Sequence, residues 1–129
     1  MKPAAFNYAK PSSVEEVLGL LSEYGDEATI LAGGQSLIPT MNMRLSAPAL
    51  VIDINGLDNL NGISDEGDRL RIGALTRHVE IENSELIASH APLITLAMPS
   101  IAHPAIRNRG TFGGSVAMAD PAAELPACL

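Results

Sequence analysis

The sequence predicts an α+β fold built as two layers. Three observations predict it. Short buried-strand patterns alternate with helical ones over the first half of the chain. A polar-turned hairpin pattern begins the second half. From there on the pattern is mostly helical, with glycine-rich breaks. The boundary falls where the pattern changes. Residues 1–57 form a small N-terminal α/β subdomain, and residues 58–129 a second, mixed or antiparallel subdomain that begins its first strand near Asn61.

Residues 1–11 read as extended chain punctuated by Pro3 and Pro11. A helix follows, with Ser13 as its cap and Glu16 three residues on, the spacing of a capping box. Val14, Val17, Leu18 and Leu21 give it a single apolar stripe, and Gly25 gives it a stop. Thr29-Ile30-Leu31-Ala32 reads as a buried strand running into Gly33-Gly34. A short helix over residues 36–44 follows, with Pro39 tolerated near its start. Leu50 to Ile54 reads as a second strand, closed by Asn55-Gly56. Gly62-Ile63-Ser64 and Arg69 to Gly73 flank Asp65-Glu66-Gly67-Asp68, which is a hairpin with a polar turn. Residues 77–90 read as one amphipathic helix. Leu93 to Met98 reads as an apolar helix between Pro92 and Pro99, and an irregular stretch starts at His103-Pro104. Leu125 to Leu129 is apolar and reads as leading into a further element, which suggests an N-terminal piece of a longer chain.

Composition narrows the function. The 129 residues are 47% hydrophobic and 18% charged, which excludes a disordered acidic tail. The net charge of -7 argues against nucleic acid or an anionic membrane as partner. No apolar run is long enough for a bilayer span, and residues 1–4 carry no signal-peptide pattern, so a cytoplasmic protein is expected. The single cysteine, Cys128, excludes a disulfide framework and a cysteine-ligated cluster within this sequence. All 15 carboxylates lie outside two windows, Ala28 to Ile52 and Leu86 to Ala119. Such windows suit an anionic ligand or a buried core.

Each window holds a glycine pair followed by a small polar residue. In Ala32-Gly33-Gly34-Gln35-Ser36 the pair follows a strand and precedes a helix. Glycines there let backbone N–H groups approach and surround an anion, and a helix start adds further donors. Gly110-Thr111-Phe112-Gly113-Gly114-Ser115 reads as a second turn of the same chemistry, with Arg107 and Arg109 upstream as phosphate donors or solvated surface. A diphosphate held between two backbone loops accounts for both. The Rossmann glycine fingerprint and the P-loop are absent, and His78, His90 and His103 lack metal-ligand spacing. No acid/base constellation stands out, so no catalytic residue and no metal ligand is assigned. Asp120 and Glu124 either accept hydrogen bonds from ribose hydroxyls or cap a turn.

These stretches, together with Phe6-Asn7-Tyr8, Gly73-Ala74-Leu75-Thr76 and Ala119 to Pro126, resemble the FAD-binding (PCMH-type) medium subunit of the molybdenum hydroxylases. That family includes aerobic carbon monoxide dehydrogenase and xanthine dehydrogenase. The resemblance implies a PCMH-type flavin fold with FAD between the two subdomains. It implies FAD contacts from Ala32, Gly33, Gly34, Gln35, Ser36 and Leu37, and from Thr111, Gly113, Gly114 and Ser115 on the other side. Ala74, Leu75 and Thr76 would lie near the flavin, and Asp120 and Glu124 would add polar contacts. The family usually has Ile where Phe112 stands and often Asn where Ser115 stands. Its C-terminal domain has no counterpart here. The implied protein is an oxidoreductase subunit. Electrons reach FAD from a small [2Fe-2S] subunit and a large molybdopterin subunit, in a heterotrimer or a dimer of heterotrimers, and pass to an external acceptor. An inactive fragment and a stand-alone flavin reductase of the same fold are the alternatives.

Overall fold

The computed structural model describes residues 1–129, which divide into two compact units, Met1–Asp58 and Asn59–Leu129. The first unit opens with a strand, β1 (Asn7–Ala9), and a helix, α1 (Val14–Tyr24). Ser13 caps α1, its hydroxyl accepting the Glu16 N–H at 3.2 Å. The Glu16 carboxylate reaches back to the N–H of Ser12 at 2.7 Å, one residue earlier than the usual capping box. Gly25, at φ 52°, ends the helix. Leu18 is exposed rather than part of the apolar face, which runs through Val14, Val17, Leu21 and Tyr24. Strand β2 (Ala28–Leu31) leads into the first glycine pair and helix α2 (Leu37–Asn42), and strand β3 (Leu50–Asp53) follows.

The three strands form a parallel sheet in the order β1-β3-β2, with Tyr8 opposite Val51 and Leu31 opposite Asp53. The central position of β3 explains its unbroken apolar run: Leu50, Val51 and Ile52 are all buried. Val17, Met41, Ile54 and Leu57 complete the core of this unit. The extended chain over residues 1–11 therefore contains a real edge strand.

In the second unit, β4 (Ile63–Asp65) and β5 (Leu70–Ile72) pair antiparallel with Ser64 opposite Arg71. The single helix expected over residues 77–90 is two: α3 (His78–Glu82) and α4 (Glu85–His90). Ser84 makes the break by capping α4, accepting the Ile87 N–H at 3.3 Å. Helix α5 (Pro92–Ala97) follows, and its last turn passes into a 3-10 turn over Met98–Ser100. The stretch at His103-Pro104 is not irregular but starts a short helix, α6 (Pro104–Arg107), with proline at its first position. Helices α7 (Phe112–Met118) and α8 (Glu124–Ala127) complete the unit. Ile81, Ile87, Ile94, Met98, Ile101, Phe112 and Leu125 form its core, with Ile63, Leu70 and Ile72 of the hairpin packed against it. No helix of the chain is long and apolar enough to cross a membrane.

Candidate functional site

The first glycine segment leaves β2 and turns into α2. Gly34 adopts φ +72°, the left-handed region that glycine enters freely. The backbone N–H groups of Gly33, Gly34, Gln35, Ser36 and Leu37 donate to no group of the chain; the first paired donor is Ile38, whose N–H reaches the Gly34 carbonyl at 3.0 Å. Five consecutive unspent donors beside a strand end form a candidate cradle for an anion, since each carries a partial positive charge and needs an acceptor. The Gln35 side chain folds back, its Nε2 donating to the Gly33 carbonyl at 3.0 Å. Ser36 is exposed, and its carbonyl accepts both the N–H and the hydroxyl of Thr40.

The cradle is tied down at its entry. Asn55 Nδ2 donates to the Ala32 carbonyl at 2.8 Å and to Asp53 Oδ1 at 2.6 Å, and Asp53 Oδ1 also accepts the Asn55 N–H at 2.9 Å. The hydroxyl of Tyr8 donates to Asp53 Oδ2 at 2.5 Å. Burial pushes the Asp53 carboxyl up, but hydrogen bonds from Tyr8 and Asn55 and the Lys10 charge outweigh it and hold the group below the usual range. The hydrogen bond to that carboxylate pushes the Tyr8 phenol up.

The second glycine segment is built differently. It is not a turn: Gly113 and Gly114 lie in the first turn of α7, capped by Thr111. The backbone donors from Phe112 to Ser115 are used within the chain. Phe112 N–H reaches the Thr76 carbonyl at 2.9 Å, and Gly113 N–H the Ala74 carbonyl at 2.8 Å. Gly114 N–H reaches Thr111 Oγ1 at 3.2 Å, and Ser115 N–H the Thr111 carbonyl at 3.1 Å. The second segment therefore does not repeat the row of free amides of the first. Gly113 serves close packing instead: a Cβ there would stand 2.6 Å from the Ala74 Cβ and 2.8 Å from the Ala74 carbonyl oxygen. Gly114 and Ser115 are half-buried.

Of Ala74, Leu75 and Thr76, only Ala74 is exposed. Leu75 is core, and Thr76 has no accessible surface; its hydroxyl donates to the Gly62 carbonyl at 3.0 Å and accepts the Gly62 N–H at 3.1 Å. Thr111 is 2% exposed. These three side chains hold the segment together and offer a ligand nothing directly. Asp120 is exposed and caps its own turn, Oδ1 accepting the Ala122 N–H at 2.9 Å, so the capping reading of that residue is realised. Glu124 starts α8 and is half-buried.

Among the arginines, Arg107 is committed: its Nε meets Glu82 Oε2 at 2.9 Å and its Nη1 the Ile101 carbonyl at 3.0 Å. Arg77 donates to the carbonyl of Arg109. The Arg109 side chain is exposed. Sequence reasoning passed over Asn55, whose signal was an asparagine just beyond a strand end. It also passed over the role of His78, which is buried with Nε2 3.1 Å from the Thr111 carbonyl. That carbonyl only accepts, so Nε2 carries the proton, and Nδ1 is left buried without a partner. Burial is the main cause that pushes the His78 pKa down, and the Arg107 charge adds to it against weaker opposing effects of Thr111 and Glu124.

A parallel α/β unit with a glycine cradle, joined in sequence to a hairpin-and-helix unit, is an α+β flavin-binding architecture of the PCMH type. The family described as the FAD binding domain in molybdopterin dehydrogenase matches residues 4–129, and the chain belongs to that family. It is 47% identical over 129 residues to the caffeine dehydrogenase subunit beta of Pseudomonas sp. (strain CBB1), covering 100% of this chain and 44% of that protein. It is 50% identical, with the same coverage of both, to the 6-hydroxypseudooxynicotine dehydrogenase complex subunit alpha of Paenarthrobacter nicotinovorans. Among solved structures, the carbon monoxide dehydrogenase from Hydrogenophaga pseudoflava that lacks the Mo-pyranopterin moiety of its cofactor superposes with a TM-score of 0.95. Its identity is 42%, and the match covers 98% of this chain and 44% of that one. The chain thus spans less than half the length of the relatives it matches.

Proposed function

We propose that this chain is the FAD-holding part of the electron-transfer subunit of a molybdenum-containing dehydrogenase. In that role it receives electrons from a small [2Fe-2S] partner, fed by a large molybdopterin partner, and delivers them to an external acceptor. One observation carries the reading: the five unspent amide donors from Gly33 to Leu37, in a chain of the FAD-binding family. They suit the negative oxygens of a diphosphate, which FAD has and FMN lacks. FAD supplies the redox chemistry when bound. The chain's own residues bind and orient. The glycine backbone takes the diphosphate, while Ser36 and Ser115 offer hydroxyls at their edges of the surface. Asp120 Oδ2 and the Glu124 carboxylate offer acceptors for hydroxyl groups.

The test uses the full-length protein with its partners, stripped of flavin and then reconstituted. Added FAD restores the flavin absorbance and the reduction of an artificial acceptor, while FMN restores neither. Equal restoration by both would remove the diphosphate cradle from the reading. A complex that never takes up flavin would end the proposal.

A further inference from the structure

Five consecutive unspent N–H dipoles repel one another, so something must hold the loop before a ligand arrives. Gly34 permits the turn, but a glycine enforces nothing. Besides the α2 bonds to the Gly34 and Ser36 carbonyls, two side-chain amide contacts restrain it. One is local, from Gln35 Nε2 to the Gly33 carbonyl. The other crosses the sheet, from Asn55 to the Ala32 carbonyl at 2.8 Å. We infer that Asn55 is a positioning residue for the flavin cradle, oriented by Asp53 and, through it, by Tyr8. The inference rests on the reading of Gly33 to Leu37 as a diphosphate cradle.

Geometry favours Asn55 in this role. Its two Nδ2 hydrogens are divided between Asp53 Oδ1 and the Ala32 carbonyl, which fixes the amide's orientation. Asp53 Oδ1 also takes the Asn55 backbone N–H, which fixes the residue at both ends. Asp53 is aligned in turn by the Tyr8 hydroxyl on Oδ2. Asp53 lies directly opposite Leu31 in the parallel register, one residue before Ala32. The relay thus joins all three strands to the first residue of the loop. It also occupies the Asp53 charge with donors, which a bare carboxylate near a diphosphate site would not have.

Three variants of the full-length flavin subunit in its complex test this: Asn55→Ala, the isosteric Asn55→Asp, and Tyr8→Phe. FAD affinity is read by quenching of flavin fluorescence, and acceptor reduction is read with limiting and saturating FAD. Loss of one such hydrogen bond weakens FAD binding about tenfold in Asn55→Ala and at least as much in Asn55→Asp, with about threefold for Tyr8→Phe. Saturating FAD returns the full turnover rate, so the defect lies in affinity alone, which a collapsed fold would not show. If Asn55→Asp binds FAD as tightly as the native residue, side-chain shape suffices and the positioning role is overturned. Should the Asn55 variants not fold, an unchanged affinity in Tyr8→Phe overturns it. A native complex without FAD affinity removes the cradle and this inference together. Native binding with unaffected variants removes the inference alone.

Discussion

Two glycines that look alike in sequence do different physical work. At Gly34 the backbone is left-handed, and an added Cβ would meet only the side-chain ends Leu31 Cδ1 at 3.0 Å and Ile38 Cγ1 at 3.1 Å, which can move aside. Alanine there costs about 1–2 kcal/mol through the backbone. At Gly113 the added atom would meet the Cα and carbonyl oxygen of Ala74, both at 2.8 Å, which move only if a whole segment moves. Alanine there costs about 3 kcal/mol or more by overpacking. Gly113→Ala is therefore the more destabilising of the two in thermal melts, while Gly34→Ala shows its main loss in FAD affinity. The reverse order would mean that the α7 contact is loose. His78 adds a pH dependence. Its folded pKa lies below the ordinary 6.5, so the unfolded chain binds the extra proton first. Its contribution is full above that value and declines as pH falls from 6.5 toward the folded pKa, below which the loss is constant. Denaturant midpoints measured downward from neutral pH should fall across this window, and His78→Gln should flatten the slope there. An equal slope in the variant would assign the effect elsewhere.

At the scale of elements, what was legible in the sequence depended on how locally each element is determined. Helix α1 carries its cap and stop within the thirteen residues from Ser13 to Gly25, and the hairpin β4–β5 carries its turn; both formed where expected. Strand β1 did not announce itself, because three edge residues gain their identity from pairing with β3, over forty positions away. The break at Ser84 was hidden since the apolar period continues across it, and only the cap chemistry marks it. The hardest case was the second glycine pair. Glycine is a poor helix former, so Gly113-Gly114 read as a loop. Tertiary packing against Ala74 overrides that preference and turns the pair into the start of α7. The first glycine pair was legible down to its free amides, whereas the Tyr8–Asp53–Asn55 relay behind it was not. Those three residues meet only when the parallel sheet forms.

At the scale of the molecule, the distribution of charge constrains how an anion is held. The chain carries -7, yet Ala28 to Ile52 contains no carboxylate and only Arg44 as a cation. Arg44 is itself at φ 58° and donates to the Lys2 carbonyl at 3.3 Å. On the proposed reading, the cradle holds its diphosphate with neutral amides inside a locally acid-free stretch of an acidic chain. Two electrostatic schemes differ in their response to salt. If amides do the holding, the only long-range effect is repulsion between the ligand and the net negative charge. Its reach shrinks from about 30 Å at 0.01 M salt to about 8 Å at 0.15 M, so FAD affinity stays constant or rises slightly. If a solvated arginine such as Arg109 supplies the phosphate contact, the same change weakens binding severalfold by screening an attraction. FAD titrations of the deflavinated complex at the two ionic strengths separate the schemes, and a severalfold loss at the higher salt would replace the amide cradle with a cationic one.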